Sequence, residues 1–369
     1  MTISTDLGSS DTRPTRILAI ESSCDETAAA VIDNGRYIRS NVIASQIELH
    51  QQYGGVFPEM ASRAHIEAIG AVIQRAMYDA GASWESIDAV GVTKGPGLPG
   101  SLVVGVNAAK GICLARDLPL IGINHLEGHI YSHWLEDAPI SRFGENPFPL
   151  LALIVSGGHT ELVIIRDHGQ YELIGHTVDD AVGEAFDKVA RMLGLGYPGG
   201  PAIEKAARSG NPTRFKLSRP RMDKPYNFSF SGSKTAVLYA LRKFGGPVET
   251  TPAGGSPPGI SPRIPVADIA ASFQEAISEW LAEKTVRAAE AYDVKGIVVG
   301  GGVSANQALR EKLSAVAGAR SARLFTVLFP PLALCTDNAA MIGAAAHFAY
   351  LRGVRDQLDM DVLPDLKLG

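Results

Sequence analysis

Residues 150–173 read LLALIVSGGHTELVIIRDHGQYEL and residues 16–38 read RILAIESSCDETAAAVIDNGRYI, and the first stretch decides the fold because it repeats the second. Leu18, Ala19, Ile20, Ser23, Thr27, Val31 and Ile32 align with Leu151, Ala152, Leu153, Ser156, Thr160, Ile164 and Ile165 at one constant offset of 133 residues. A second turn, Asn34-Gly35, is replaced by His168-Gly169 after a slip of one residue. Asn-Gly between apolar runs marks a hairpin, because the turn needs positive φ at its central residues. Any two hairpins share some of this pattern. The constant offset favours an internal duplication, each half opening as strand, polar turn, strand, turn, strand.

Helices and strands alternate after each opening. In the first half the periodicity predicts helix 62–80, strand 87–93, helix 102–115, strand 120–123 and helix 126–135. In the second it predicts helices 184–193, 202–208 and 267–290, strand 296–300, helix 307–315 and strand 323–329. A last helix, 339–351, has no strand after it. Alternation of this kind implies α/β layers with mostly parallel, helix-covered sheets. Two such sheets with hairpin openings describe the duplicated two-domain actin-like ATPase architecture, in which turns of both halves face one cleft and the last helix returns to the first domain. The expected division is a disordered tail 1–15, a first domain of 16–148 plus 332–369, and a second domain 149–331. Residues 245–265 hold five Gly and six Pro, which predicts a mobile loop.

Composition limits the function classes. The 369 residues carry a net charge of −5, which excludes a globally basic nucleic-acid protein. No apolar run approaches the ~18–20 residues that span a bilayer, and the first fifteen residues lack the apolar core of a secretory signal. Three cysteines, odd in number and widely spaced, argue against a disulfide framework. The expectation is a soluble cytoplasmic protein with no membrane association. One segment departs from the acidic balance: residues 208–243 hold nine Lys/Arg and one Asp, interleaved with Phe215, Tyr226, Phe228, Phe230 and Tyr239. Such a run is often a solvated face, but separation this steep suggests a polyanion partner.

His125-Leu-Glu-Gly-His129 puts two imidazoles four residues apart, on one face of a helix. With nine histidines in the chain, chance supplies about 0.2 such pairs, so a surface or capping pair stays open. The zincin pattern is absent, because Leu126 stands where that motif needs Glu. The best third ligand is Asp337 in Cys335-Thr-Asp-Asn338, which would otherwise be a first-turn carboxylate of the last helix. Glycine-rich turns at Lys94–Gly100, Ser156–Thr160, Tyr197–Pro201 and Gly300–Asn306 sit at strand–turn or strand–helix junctions; each alone is more often an ordinary tight turn, but four together favour nucleotide binding, since backbone N–H groups there can meet phosphates. Asp187 and Glu204 lie on neighbouring helices, as ribose acceptors or as solvated polar residues. No Walker motif is present.

The runs Glu21-Ser-Ser-Cys-Asp-Glu-Thr27, Pro58-Glu-Met-Ala-Ser-Arg63, Gly95-Pro-Gly-Leu98, His125-Leu-Glu-Gly-His129, Val155-Ser-Gly-Gly-His159, Asp179-Asp-Ala-Val-Gly-Glu-Ala-Phe-Asp-Lys188, Tyr197-Pro-Gly-Gly-Pro201, Phe228-Ser-Phe-Ser-Gly232, Gly301-Gly-Val-Ser-Ala-Asn306 and Thr336-Asp-Asn338 occur in this order. Together they resemble the tRNA N6-adenosine threonylcarbamoyltransferase family, formerly labelled O-sialoglycoprotein endopeptidase. The likeness is to its bacterial branch. Where archaeal and eukaryotic members place a metal-contacting Tyr before Val-Ser-Gly-Gly, this chain has Ile154, so no fourth ligand carries over there.

The resemblance implies transfer of a threonylcarbamoyl group from threonylcarbamoyl-adenylate to N6 of the adenosine 3′ of the anticodon, in tRNAs reading codons that begin with A, with release of AMP. It implies one divalent metal per subunit on His125, His129 and Asp337, ferrous iron favoured and zinc the alternative. It places the adenylate on Ile154, Val155, Ser156, Gly157, Gly158, Asp187, Gly200, Glu204 and Asn306, with Asp25 and Glu26 on the facing turn as base or orienting groups. It also implies a paralogous actin-like partner subunit and a small ATPase. An actin-like sugar kinase would leave the histidines unused, and a metalloprotease would leave the nucleotide turns unused.

Overall fold

A computed structural model describes residues 13–136, 139–217, 222–244, 263–319 and 324–369. Its first half runs β1 (Arg16–Glu21), β2 (Glu26–Asp33), β3 (Tyr37–Ser45), α1 (Ile47–Gln51), α2 (Pro58–Asp79), β4 (Ala89–Gly95), α3 (Pro99–Arg116), β5 (Leu120–Asn124) and α4 (His125–Tyr131). The second half runs β6 (Leu150–Val155), β7 (Thr160–Asp167), β8 (Gln170–His176), α5 (Val182–Met192), α6 (Gly199–Ala207), α7 (Ser231–Arg242), α8 (Val266–Ala291), β9 (Gly296–Gly300), α9 (Gln307–Ala319) and β10 (Thr326–Leu328). A final α10 (Ala339–Leu351) follows.

The duplication holds down to single residue pairs. The sheets are ordered β3-β2-β1-β4-β5 and β8-β7-β6-β9-β10, the same plan twice. Leu18 pairs with Val31 in one hairpin and Leu151 with Ile164 in the other, again 133 residues apart. Asn34 and Gly35 both take positive φ, 53° and 65°, so the turn chemistry sets the register. The slip shows in the loops: Asp33 pairs with Tyr37 across three residues, whereas Asp167 pairs with Gln170 across two. Each sheet is mixed, antiparallel through its hairpins and parallel through β1-β4-β5 or β6-β9-β10.

Helices cover both faces of both sheets. In the first sheet, α2 and α3 close one face over Leu18, Ile20, Val90 and Val92, and α10 closes the other over Ile17, Ala19 and Ile32. Helix α10 therefore returns to the first sheet, as its lack of a following strand implies. In the second sheet, α5 to α9 enclose one core, and the opposite face packs on Leu126 and Ile130 of α4. Helices α4 and α10 thus lie between the two sheets.

Several boundaries differ from expectation for identifiable reasons. Helices α2 and α3 begin four and three residues early, at Pro58 and Pro99, since proline suits a first helical position whose N–H needs no partner. Strand β10 covers three residues, paired to Gly296–Val298; residue 323 lies outside the described residues. Helix α7 has no counterpart in the expected pattern. Asp179 holds its start, accepting from Ser229 Oγ at 2.5 Å, Phe230 N at 2.7 Å and Ser231 Oγ at 2.6 Å. Residues 1–12 of the expected tail lie outside the described residues, while Thr15 N donates to Asn34 Oδ1 at 2.9 Å and Arg13 pairs with Asp88 at 2.5 Å. Of loop 245–265, residues 245–262 lie outside the described residues; Ile264 is buried and Pro265 caps α8.

Candidate metal centre and nucleotide cleft

Helix α4 starts directly at the end of β5, capped by Asn124, whose Oδ1 accepts from Leu126 N at 2.9 Å. This start presents His125 and His129 on one face, four residues apart. Asp337 arrives from the other direction, two residues before α10. His125 Nε2 lies 3.5 Å and His129 Nε2 3.3 Å from the same atom, Asp337 Oδ1. The three donors lie within 4.8 Å of one another, and among the described residues they form the one group suited to a metal ion.

The surroundings fit such an ion. His129 is fully buried, yet neither ring nitrogen makes a hydrogen bond, a costly omission unless another partner takes Nε2. Burial opposes a charge on Asp337, but His125 and His129 override it and hold the carboxyl at about 2. Burial likewise opposes the His125 cation, but Asp337 and Glu21 push it up to about 9. A ligating imidazole must be deprotonated, so a metal bound here would displace that proton.

Sequence reasoning missed the group that orients His125. Glu21, the last residue of β1, is fully buried, and its Oε2 lies 3.2 Å from His125 Nδ1. The carboxylate is itself fixed, accepting from Ser23 N at 2.5 Å and Thr93 Oγ1 at 2.5 Å. Burial works against its charge, but His125 holds it below the usual carboxylate range. Carboxylate, imidazole and open Nε2 form the outer-shell pattern of metal-ligating histidines. The signal available was a glutamate ending an apolar strand, a position where burial is expected. Glu127 faces elsewhere, with Tyr171 Oη donating to its Oε1 at 2.6 Å. His159, in the turn after β6, is held neutral in the same surroundings, lowered to about 4 by burial and by the neighbouring His125 and His129 charges.

The turn after β1 flanks this cluster. Burial and the Asp337 charge raise Asp25, and burial raises Glu26 to about 7. Glu26 Oε1 accepts from Ser45 Oγ at 2.8 Å, and its Oε2 is buried without a partner. From the second half, burial raises Asp187 to about 6, with Asp25 among the charges it feels. Arg191, one turn further along α5, donates to Gly54 O, so α5 of the second half meets the loop after α1 of the first.

The expected nucleotide residues divide into two groups. Gly157, Gly158 and Gly200 have open space on their Cβ side, so their backbone is accessible. Ser156 closes its turn, its N donating to His159 O at 2.9 Å and its Oγ accepting from His159 N at 3.1 Å. Ile154 and Val155 have fully buried side chains, leaving only backbone for a ligand. Asp187 Oδ1 accepts from Gly199 N at 2.7 Å at the start of α6. Glu204 Oε1 accepts from Gln307 N at 3.2 Å, beside Asn306, whose Oδ1 caps α9 through Leu309 N at 3.0 Å. Gly301, at φ +92°, lets this turn approach the first one, since a Cβ there would sit 2.4 Å from Val155 O.

The basic segment needs a correction. Phe228 and Phe230 are 0% exposed and belong to the core, so they cannot stack on a base. Phe215 and Tyr226 pack partly against that core, and only Tyr239, at 57%, is broadly exposed. Arg214 pairs with Asp268 and Lys234 with Asp180. Arg208, Lys216, Lys224, Arg242 and Lys243 are exposed; Arg219 and Arg221 lie outside the described residues.

The chain resembles known proteins in fold and in sequence. Solved structures with the same fold include HypF of T. kodakarensis (TM-score 0.60, 15% identity, 92% of this chain and 48% of that one). Component A of the (R)-2-hydroxyglutaryl-CoA dehydratase of Acidaminococcus fermentans is another (TM-score 0.50, 16% identity, 92% and 98%). The fold is the duplicated actin-like architecture. In sequence, the chain is 52% identical to a tRNA N6-adenosine threonylcarbamoyltransferase of Thermomicrobium roseum over 358 residues, covering 95% of this chain and 96% of that protein. It is 49% identical to the Bacillus subtilis enzyme of that name over 353 residues, 95% of each. The family model described as TsaD, tRNA N6-adenosine threonylcarbamoyltransferase, matches residues 37–344. With the His–His–Asp cluster set between two duplicated halves, this chain belongs to the tRNA N6-adenosine threonylcarbamoyltransferase family, transferases that modify tRNA.

Proposed function

We propose that this chain moves a threonylcarbamoyl group from threonylcarbamoyl-adenylate to N6 of the adenosine 3′ of the anticodon, in tRNAs reading codons that begin with A, and releases AMP. The carrying observation is the convergence of His125, His129 and Asp337 beside the turns of both halves. These three residues hold one divalent ion; two imidazoles and a carboxylate suit ferrous iron, the favoured ion, or zinc. When bound, the ion polarises the acyl or phosphoryl oxygen of the donor.

The other residues bind, orient and accept a proton. The open backbone at Gly157 and Gly158 and the α6 start at Gly200 take the adenylate's anionic and ribose groups. Asp187, Glu204 and Asn306 stiffen those turns through their bonds to Gly199, Gln307 and Leu309, and Asp187 Oδ2 is left for a ribose hydroxyl. As the C–N6 bond forms and the bond between the acyl carbon and the phosphate oxygen breaks, the N6 proton passes to a carboxylate. Glu26, pushed up to about 7 by burial, matches that task near neutral pH; Asp25 is the neighbouring orienting group. The experiment is transfer itself: donor labelled in its threonine, incubated with tRNA, should leave label on that adenosine with one AMP per group. Label released as free threonine, with unmodified tRNA, would contradict the reading. Run with and without a paralogous actin-like subunit and a small ATPase, the same assay reads whether this chain works with those partners.

The exposed cations Arg208, Lys216, Lys224, Arg242 and Lys243, with Tyr239, form the proposed tRNA face. Removing one cation that neutralises a phosphate should flatten the salt dependence of tRNA binding by about 0.7–0.9 in slope. Arg242→Ala/Lys243→Ala should therefore weaken tRNA binding and flatten its slope while adenylate binding stays intact; an unchanged slope places the tRNA elsewhere. No helix among the described residues is long and apolar enough to cross a membrane, and a tRNA substrate puts the site of action in the cytoplasm.

A further inference from the structure

One guanidinium joins the two parts of the site that bring their ligands from different loops. Arg310, in the first turn of α9, donates from Nε to Ser304 O at 2.7 Å, inside the glycine-rich turn 301–306. Its Nη2 donates to Pro330 O at 2.8 Å and reaches Cys335 Sγ at 3.2 Å, and the guanidinium lies over the Phe329 ring at 5.0 Å. Cys335 is fully buried and two residues from Asp337. The segment that crosses from β10 to α10, and delivers Asp337, is thus pinned along its length by a side chain whose other nitrogen holds the nucleotide turn. Planar, bidentate donation of this kind cannot be reproduced by a lysine ammonium.

We propose that Arg310 is a positioning residue that couples occupancy of the nucleotide turn to the placement of Asp337 at the metal centre. This rests on the proposed adenylate and metal sites. A nucleoside that orders turn 301–306 fixes Ser304 O, which fixes the guanidinium, which fixes the Pro330 carbonyl and the Cys335 side chain. By linkage the effect is reciprocal: metal must tighten nucleoside binding by the same factor.

The test uses adenosine and Co2+ on the full chain. Adenosine has no phosphate to ligate the metal, so its coupling to Co2+ travels through the protein. In the parent chain, adenosine affinity should rise about 5-fold or more with Co2+ bound, and adenosine should shift the Co2+ visible spectrum. In Arg310→Lys, both ligands should still bind to a folded protein while the affinity ratio falls toward one and the spectral shift disappears. Arg310→Gln serves as the second variant, with the same expectation, and thermal melts establish that each is folded. A ratio of one in the parent chain, or parent-like coupling in either folded variant, overturns the coupling alone. Failure of the parent chain to bind Co2+ or adenosine overturns the underlying site assignments, and the coupling with them.

Discussion

His129→Ala is expected to strip the chain of its metal and slow single-turnover transfer about 10³-fold, since a bound ion supplies several kcal/mol of transition-state stabilisation. Neither ring nitrogen makes a well-formed hydrogen bond, and the one polar neighbour of Nε2 is Asp337 Oδ1 at 3.3 Å, itself one of the three donors, so the loss falls on the metal cluster. The ring is fully buried, and the cavity it leaves costs stability. Metal content and rate are therefore compared on protein whose unfolding transition remains cooperative. A folded His129→Ala protein that keeps one metal and its rate would mean that this imidazole is only a core residue.

The next largest effect is expected at Glu21, which touches no substrate in this account. Glu21→Gln keeps the volume but removes the charge that stands 3.2 Å from His125 Nδ1. Metal affinity should fall about 10–100-fold, the usual range for outer-shell partners of ligating histidines. Glu127→Gln is the control. It lies between the two histidines in sequence, yet it bonds Tyr171 on another face of α4, so metal affinity should be unchanged. If Glu21→Gln binds metal as the parent does, His125 is oriented by something other than its carboxylate.

The contrast between these two glutamates shows what the sequence carries. Spacing alone put His125 and His129 on one helical face, and the same spacing turned Glu127 away from them. Asp337 was reachable because the last helix has no strand to follow it and so had to return to the first sheet. The duplication was legible to single residues because turn chemistry fixes hairpin register. Glu21 was not, because a carboxylate ending an apolar strand declares its partner only when β4 and β5 bring Thr93 and His125 beside it. Phe228 and Phe230 misled in the opposite sense. Among nine cations they read as a stacking surface, whereas long-range packing against Trp280 of α8 takes them into the core. Helix α7 was hidden for a related reason: its start depends on Asp179, fifty residues away, rather than on a local cap.

The most direct test of the metal centre is X-ray absorption on the full chain loaded with zinc or ferrous iron. In the zinc-loaded chain the first shell should contain only nitrogen and oxygen near ~2.0–2.1 Å, with outer-shell scattering from two imidazoles. The iron-loaded chain should show the same imidazole signature. A sulfur scatterer near ~2.3 Å, the zinc–thiolate distance that Cys24 on the flanking turn would produce, or a shell without imidazole, would contradict the assignment of His125, His129 and Asp337.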